Sequence, residues 1–541
     1  MAHDPAIDAS PPVQLPDRIA HAAGLAGAAT LASRLLGLVR EQVLAALFGA
    51  GDQMDAYLVA FRIPNLVRDL FAEGAMSAAF VPTFTRHLTL HGRSDAWRLA
   101  NNVLNALLLL TGLTVIVGYA YATPLVTAYA ESFAAVPGKL ELTIQLARVM
   151  FPFLVLVAIA AAFMGMLNSL RHYFIPALAP ATFNVVAIIC AFALTPLMPR
   201  FGYPPIMAMA FAVLIGGLTQ VLVQWPALRS EGFRYAPRID PRDEGLHRVL
   251  MLMGPGTVGL AATQVNLFVS TLLATSQGTG AVSWLQYAFR VMYLPLGLFG
   301  VSIATAVLPA AARHAATQDR RAVAETVHRG LALMLMVNIP ATCGLVALAD
   351  AIIRLLLERG HFTASDTAAT AAALQLYAIG LVGYSTTRIT SPVFYALGRS
   401  RVPVMLSAVS VTVNLTLSLV LARVMGFRGL ALATSMAALV NAALCLLMLR
   451  LQLDGIGGRR LAIAFVKVAV ASAVMSVVVI AVHRSLGGFA MRGTAPQVIA
   501  LVAAIGSGVA TLGVAARLLR VEEFAMLVSD ARRRVQKLLS R

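Results

Sequence analysis

Apolar runs of about 20 residues recur along the whole chain, and a hydrocarbon layer about 30 Å thick admits little besides helices across it. The runs fall near residues 22–48, 55–85, 100–128, 142–168, 176–198, 204–227, 247–276, 281–312, 324–348, 367–396, 402–424, 428–450, 461–483 and 495–518. An all-α polytopic membrane protein with about 14 transmembrane helices is therefore expected. Composition agrees: 59% of the 541 residues are hydrophobic and 12% charged, with a mean hydropathy of +0.80, whereas a soluble domain carries about 25% charged residues.

The formal charge is +18 and the pI near 10.7, but the basic residues lie in short connections, as topology signals do, and form no nucleic-acid face. One connection alone holds Arg229, Arg234, Arg238, Arg242 and Arg248. Counting arginine and lysine in alternate connections places both termini in the cytoplasm. Almost all of this charge is arginine; the lysines are Lys139, Lys467 and Lys537. Lys139 is assigned to an outward connection, and Lys467 to lipid headgroups or a groove beside span 13. The first residues lack the basic and apolar pattern of a signal peptide. Cys190, Cys343 and Cys445 each fall inside a run and read as small core residues.

The chain repeats itself. Ala60-Phe61-Arg62 returns as Ala288-Phe289-Arg290 and Phe71 as Phe299, an offset of roughly 228 residues that covers six spans and so preserves direction. The expected organisation is an N-terminal tail (1–21), an N-lobe of spans 1–6 (22–240), a C-lobe of spans 7–12 (241–455), two added spans (456–520) and a basic tail (521–541). In transporters built from parallel repeats, substrate sits between the halves.

Six arginines lie within these runs: Arg34, Arg40, Arg62, Arg68, Arg290 and Arg388. Charge at membrane depth costs at least a few kcal/mol, so such residues face a watery cavity, a partner or an anionic ligand. On a helical wheel Asp55, Arg62, Asp69 and Glu73 share one stripe, which reads either as a self-neutralised ladder or as part of a site, while Arg68 points elsewhere. Arg290 has no carboxylate in its own span, so it binds a ligand or takes a partner from span 1 or 2. Arg388 sits among Thr386, Thr387 and Thr390 and serves either a ligand or backbone carbonyls. No HExxH, GxSxG or Walker A pattern occurs, so no enzyme chemistry, cofactor or metal is expected, and transport would draw on gradients or the membrane potential.

The block from Ser33 to Gly51 (SRLLGLVREQVLAALFGAG) together with Asp55 to Pro82 (DAYLVAFRIPNLVRDLFAEGAMSAAFVP) resembles the signature of the MurJ (MviN) family, bacterial lipid II flippases of the multidrug/oligosaccharidyl-lipid/polysaccharide exporter superfamily. The similarity continues through Asn168–Asn184, Met253–Gly259 and Tyr287–Pro309 and covers nearly the whole chain. It implies a transporter of the cytoplasmic (inner) membrane that moves lipid II, an undecaprenyl-pyrophosphate-linked muropeptide, outward by alternating access for cell-wall synthesis. It also implies substrate-binding arginines at Arg34, Arg40, Arg68 and Arg290, functional acidic residues at Asp55 and Glu73, and a lipid-tail groove beside spans 13 and 14. Arg62 and Arg388 are secondary candidates. The partners expected are lipid II, the surrounding membrane lipids and the cell-wall synthesis machinery, with no nucleic acid and a monomeric state.

Two departures stand out. Phe289 and Tyr293 replace acidic residues that flank the span 8 arginine in some members. Span 11 offers Ser407, Ser410, Thr412, Asn414 and Thr416 without a carboxylate, so sodium is not expected. The alternative function is a flippase for other polyprenyl-pyrophosphate-linked oligosaccharides of O-antigen type; rescue of cells depleted of their lipid II flippase separates the two. A cation antiporter is disfavoured by the cavity arginines. A membrane glycosyltransferase or polymerase is disfavoured by short outward loops.

Overall fold

The computed structural model describes residues 15–68, 76–453, 455–524 and 536, excepting the side chains of 15–26, 67, 76–78, 254–263, 298–299 and 301–302. Every regular element among them is helical. In order they are α1 (Leu15–Phe48), α2 (Asp52–Arg68), α3 (Met76–Leu90), α4 (Gly92–Ala120), α5 (Ala122–Ala130), α6 (Lys139–Met150), α7 (Phe153–Ser169), α8 (Phe174–Leu194), α9 (Met207–Ser230) and α10 (Glu244–Thr275). There follow α11 (Ala281–Pro295), α12 (Val301–Ala316), α13 (Arg320–Leu357), α14 (Ala364–Ile379), α15 (Leu381–Ala396), α16 (Arg401–Met425), α17 (Phe427–Gln452), α18 (Gly458–Ser485), α19 (Gly487–Ala490) and α20 (Thr494–Leu518).

Nine of these, counting α6 and α7 as one run, are long and apolar enough to cross a membrane among the described residues. A tenth is added if α14 and α15, bent by 42° at Gly380, form one span. The other expected crossings fall on α1, on α2 with α3, on α10, and on α11 with α12, where a π-helical turn, Leu296–Gly300, follows Pro295. The all-helical membrane architecture is as expected; the number that passes on length and apolarity is below 14. From Leu15, the first described residue, the chain is helical within the stretch read as a polar tail.

Two compact units emerge, and they cut across the sequence lobes. The first holds residues up to Arg40, Val67–Ala120 and Arg148–Thr257; the second holds Glu41–Leu66, Tyr121–Ala147 and Val258–Arg541. In the first unit, α4 and α9 flank α7, and α3 covers its end. The core there is aromatic, with Phe80, Phe84 and Phe163 buried and Trp97 against Phe233 at 5.3 Å. The connection after α9 is tied to α4 rather than loose. Asn102 on α4 donates to the Asp240 carbonyl at 2.9 Å and accepts from its N–H at 2.8 Å. Asn101 pairs in the same way with Arg234 O (3.0 Å) and Ala236 N (2.9 Å). Asn105 donates to Ala236 O (2.7 Å) and Arg238 O (2.8 Å). These amides satisfy backbone groups that a strand partner would otherwise take.

In the second unit α13 is the central helix, packed by α12, α14, α15 and α18, while α16 pairs with α17 and α18 with α20. Close approach of α15 to α17 requires glycine: a Cβ on Gly383 would lie 2.7 Å from the Ala438 carbonyl. Lys467 was expected at headgroups or a groove; on α18 it donates to the Arg520 carbonyl at 3.1 Å, capping the chain just beyond α20.

Candidate functional site

The start of α2 carries Asp52 and Asp55. Asp55 is wholly buried, which an aspartate tolerates only with full compensation. Its Oδ1 accepts from the Ser283 N–H (3.0 Å) and Oγ (2.7 Å); its Oδ2 accepts from the Gly280 N–H (2.7 Å) and Lys139 Nζ (3.0 Å). Gly280 and Ser283 are the N-cap and third residue of α11, so an aspartate on α2 caps a helix 225 residues downstream. Gly280 is fixed by its own backbone: φ is +90°, and a Cβ would lie 2.7 Å from the Ala50 carbonyl.

Lys139, first residue of α6, is buried at 3% exposure. It bridges both carboxylates, reaching Asp52 Oδ1 at 2.8 Å, and lies over the Phe133 ring at 4.1 Å. Partial burial alone raises the Asp52 carboxyl, but hydrogen bonds from Lys139 and Thr279 and the lysine charge outweigh it, holding its pKa below the ordinary value of 3.8. Further contacts tie the same ends together: Tyr287 Oη donates to Gly49 O at 3.3 Å, Trp284 Nε1 to Asp366 at 2.8 Å, and His361 N to Ala46 O at 2.9 Å. Reading the sequence missed Lys139 as a site residue. Its signal was there: one of three lysines in a chain that otherwise uses arginine.

Of the two readings left open for the span 2 stripe, the self-neutralised ladder does not hold at Asp55, whose carboxylate bonds to Lys139, Gly280 and Ser283 rather than to Arg62. Asp69 and Glu73 lie outside the described residues. Arg62 is half-buried on α2. Arg290, on α11, sits 3.2 Å by Nε from Glu41 Oε1, a buried carboxylate of α1; of the two options left by the sequence, a span 1 partner is present. The Arg388 side chain reaches the Tyr293 hydroxyl and lies 5.5 Å from that ring, and Phe289 packs edge-on against Tyr377 and Tyr384. Aromatic side chains thus stand at both positions, 289 and 293, that flank Arg290 in the sequence.

Arg34, Arg40 and Arg68 belong to the first unit, and Asp55, Arg62, Arg290 and Arg388 to the second. Arg34 is exposed on α1. Arg40 lies over the Phe183 ring at 5.8 Å, and Asn184 beside it donates to Ser33 O at 3.0 Å, docking the arginine-bearing part of α1 on α8. A Cβ at Gly37 would meet that amide at an ordinary contact distance of 3.6 Å. Arg68 is half-buried at the end of α2.

The polar cluster on α16 is neutral: Asn414 donates to Asn266 Oδ1 (2.6 Å) and Ser270 Oγ (3.2 Å), an amide and hydroxyl set without the carboxylates that hard cations prefer. Among the described residues, His87, His91 and Asp95 bring possible metal-ligand atoms within 4.8 Å of one another. Asp95 is already engaged by His87 (2.6 Å) and Arg98 (2.5 Å).

A family model described as lipid II flippase MurJ matches residues 44–493. The chain belongs to the MurJ family of lipid II flippases. A Vibrio cholerae protein described as "Probable lipid II flippase MurJ" is 34% identical over 496 residues, 90% of this chain and 93% of its own length. One from Burkholderia cenocepacia, described as "Lipid II flippase MurJ", is 33% identical over 425 residues, covering 78% and 82%. A solved MurJ structure in an inward closed conformation superposes with a TM-score of 0.75 at 27% identity, covering 92% of this chain and 99% of that one. An inward-facing MATE family transporter of the MOP superfamily shares the fold alone, with a TM-score of 0.66 at 16% identity, over 78% and 94%. Family membership agrees with the helical membrane architecture, and the family is one of flippases.

Proposed function

We propose that this chain moves lipid II from the inner to the outer leaflet of a bacterial cytoplasmic membrane by alternating access, as a transporter that leaves its cargo chemically unchanged. Arg34, Arg40, Arg68 and Arg290 are the contacts for the pyrophosphate and peptide carboxylates, since a guanidinium presents paired donors to such oxygens. Arg62 and Arg388 are secondary contacts. Glu41 beside Arg290 keeps that guanidinium oriented and charge-balanced until an anion competes for it. A potential negative inside favours outward passage of an anion by about 2.3 kcal/mol per charge per 100 mV.

Both termini are assigned to the cytoplasm, which puts the Asp55–Lys139–Ser283 cluster on the outer side. There it acts as a latch that holds the outer ends of α1, α2, α6 and α11 together and opens during the cycle. The observation that carries the reading is Arg290, an arginine within an apolar helix lacking any acid, in a chain matched by the lipid II flippase family over 450 residues (44 to 493 inclusive). Substitution Arg290→Ala should abolish rescue of cells depleted of their own lipid II flippase while the protein still accumulates in the membrane. Full rescue by that variant rejects the assignment.

A further inference from the structure

The asparagine ladder on α4 holds the backbone of the connection after α9 and leaves side chains exposed there: Arg234, Arg238 and Arg242, with Tyr235 and Ile239. Where this connection meets α10, a groove of about 450 Å³ opens, lined by Arg242, Glu244, His247, Arg248, Met251 and Leu252. All of these residues belong to the first unit. The groove has two chemistries. Its rim carries two exposed arginines, neither in an ion pair among the described residues, against the single carboxylate of Glu244. Its floor is Met251, 74% exposed, and Leu252, 46% exposed, which lead down the apolar helix.

The backbone end of α10 is not what would hold an anion there. Asp243 caps it, accepting from the Leu246 N–H at 2.9 Å, and His247 Nδ1 lies 3.3 Å from the Asp243 carbonyl. Recognition must come from the guanidinium groups. A cationic rim above an apolar floor at the edge of a membrane helix matches a phosphate headgroup attached to an acyl chain.

We infer that an anionic phospholipid occupies this groove, its phosphate between Arg242 and Arg248 and one acyl chain along Met251 and Leu252. The ladder's role is to hold the connection at the depth where those arginines meet the headgroup layer. This site is separate from the arginines proposed for the cargo.

The test reconstitutes the full chain in phosphatidylcholine vesicles carrying a trace of photoactivatable phosphatidylglycerol, and maps the crosslinks by mass spectrometry. Label should concentrate on 242–252, several-fold above that from a photoactivatable phosphatidylcholine. Arg242→Gln with Arg248→Gln should abolish that excess, and lysine at both positions should keep most of it. Unlabelled phosphatidylglycerol should displace the probe and inorganic phosphate should not. Equal labelling by the two probes, or by the glutamine variant and the parent, overturns the inference. Displacement by inorganic phosphate would assign the groove to free anions, and displacement by lipid II would assign it to the cargo; either also overturns it.

Discussion

Asp55 and Ser283 stand 228 positions apart and are joined by two hydrogen bonds, from the serine N–H at 3.0 Å and its hydroxyl at 2.7 Å. That separation equals the offset between Ala60-Phe61-Arg62 and Ala288-Phe289-Arg290, so the pair occupies equivalent places in the two repeats. The starts of α2 and α11 meet here with like-signed dipoles, and Asp52 and Asp55 offset both these helix ends and the Lys139 ammonium.

The buried pair Asp55–Lys139 predicts a double-mutant pattern. Asp55→Asn alone leaves the buried ammonium with Asp52 as its one carboxylate partner among the described residues and should destabilise the protein by up to about 3–5 kcal/mol, as should loss of the lysine alone. Asp55→Asn combined with Lys139→Gln should cost clearly less than the sum. Thermal unfolding of the purified variants reads this directly; additive losses would show that the two side chains are independent.

Asp52 sets an acid-range dependence. Because its folded pKa lies below 3.8, its stabilising contribution is in place at neutral pH and disappears as pH falls through that lower folded value. At 43% side-chain exposure the effect is modest. Parent and Asp52→Asn should differ in melting temperature at neutral pH and converge in strong acid; a gap that widens on acidification contradicts the assignment.

Glycines separate by their surroundings. Gly383→Ala forces a methyl against the Ala438 backbone and should cost about 1–3 kcal/mol. Gly344, inside α13, has nothing within 4 Å of where a Cβ would stand, and Gly344→Ala should be neutral or stabilise by up to about 1 kcal/mol through helix propensity. Paired melting curves in one detergent test the contrast.

The asparagine ladder protects its strap. Asn102→Ala removes two hydrogen bonds worth about 1 kcal/mol each, and triple replacement of Asn101, Asn102 and Asn105 should free the backbone at Arg234 and Arg238, whose side chains are already exposed, for trypsin. Cleavage should speed up several-fold at these sites and not at Arg399. Unchanged cleavage would mean that the strap is held by other contacts.

Much of this was legible beforehand, for physical reasons. Apolar length announces membrane helices, because the bilayer leaves no other way to satisfy the backbone, and the signature around Arg34 to Pro82 pointed to the family. The helix breaks were harder: Pro295 is visible in sequence, but the π-helical turn after it depends on packing. Partners at long range were harder still. A helical wheel places Asp55 with Arg62, yet the carboxylate turns to α11 and α6, because free N–H groups at a helix start and a buried ammonium outcompete a neighbour on its own stripe. Arg290 looked solitary only because its carboxylate, Glu41, lies 249 residues earlier. Lys139 looked like an ordinary outer-loop charge until Phe133 and two aspartates were seen around it.

Phe133 roofs the Lys139 ammonium at 4.1 Å while the Asp52 and Asp55 carboxylates engage its N–H groups. An amine enclosed in this way is chemically silent to acylating reagents for as long as the cluster stays shut. With so few lysines in the chain, the rate at which Lys139 becomes modifiable in intact vesicles is a built-in clock for how often these helix ends part.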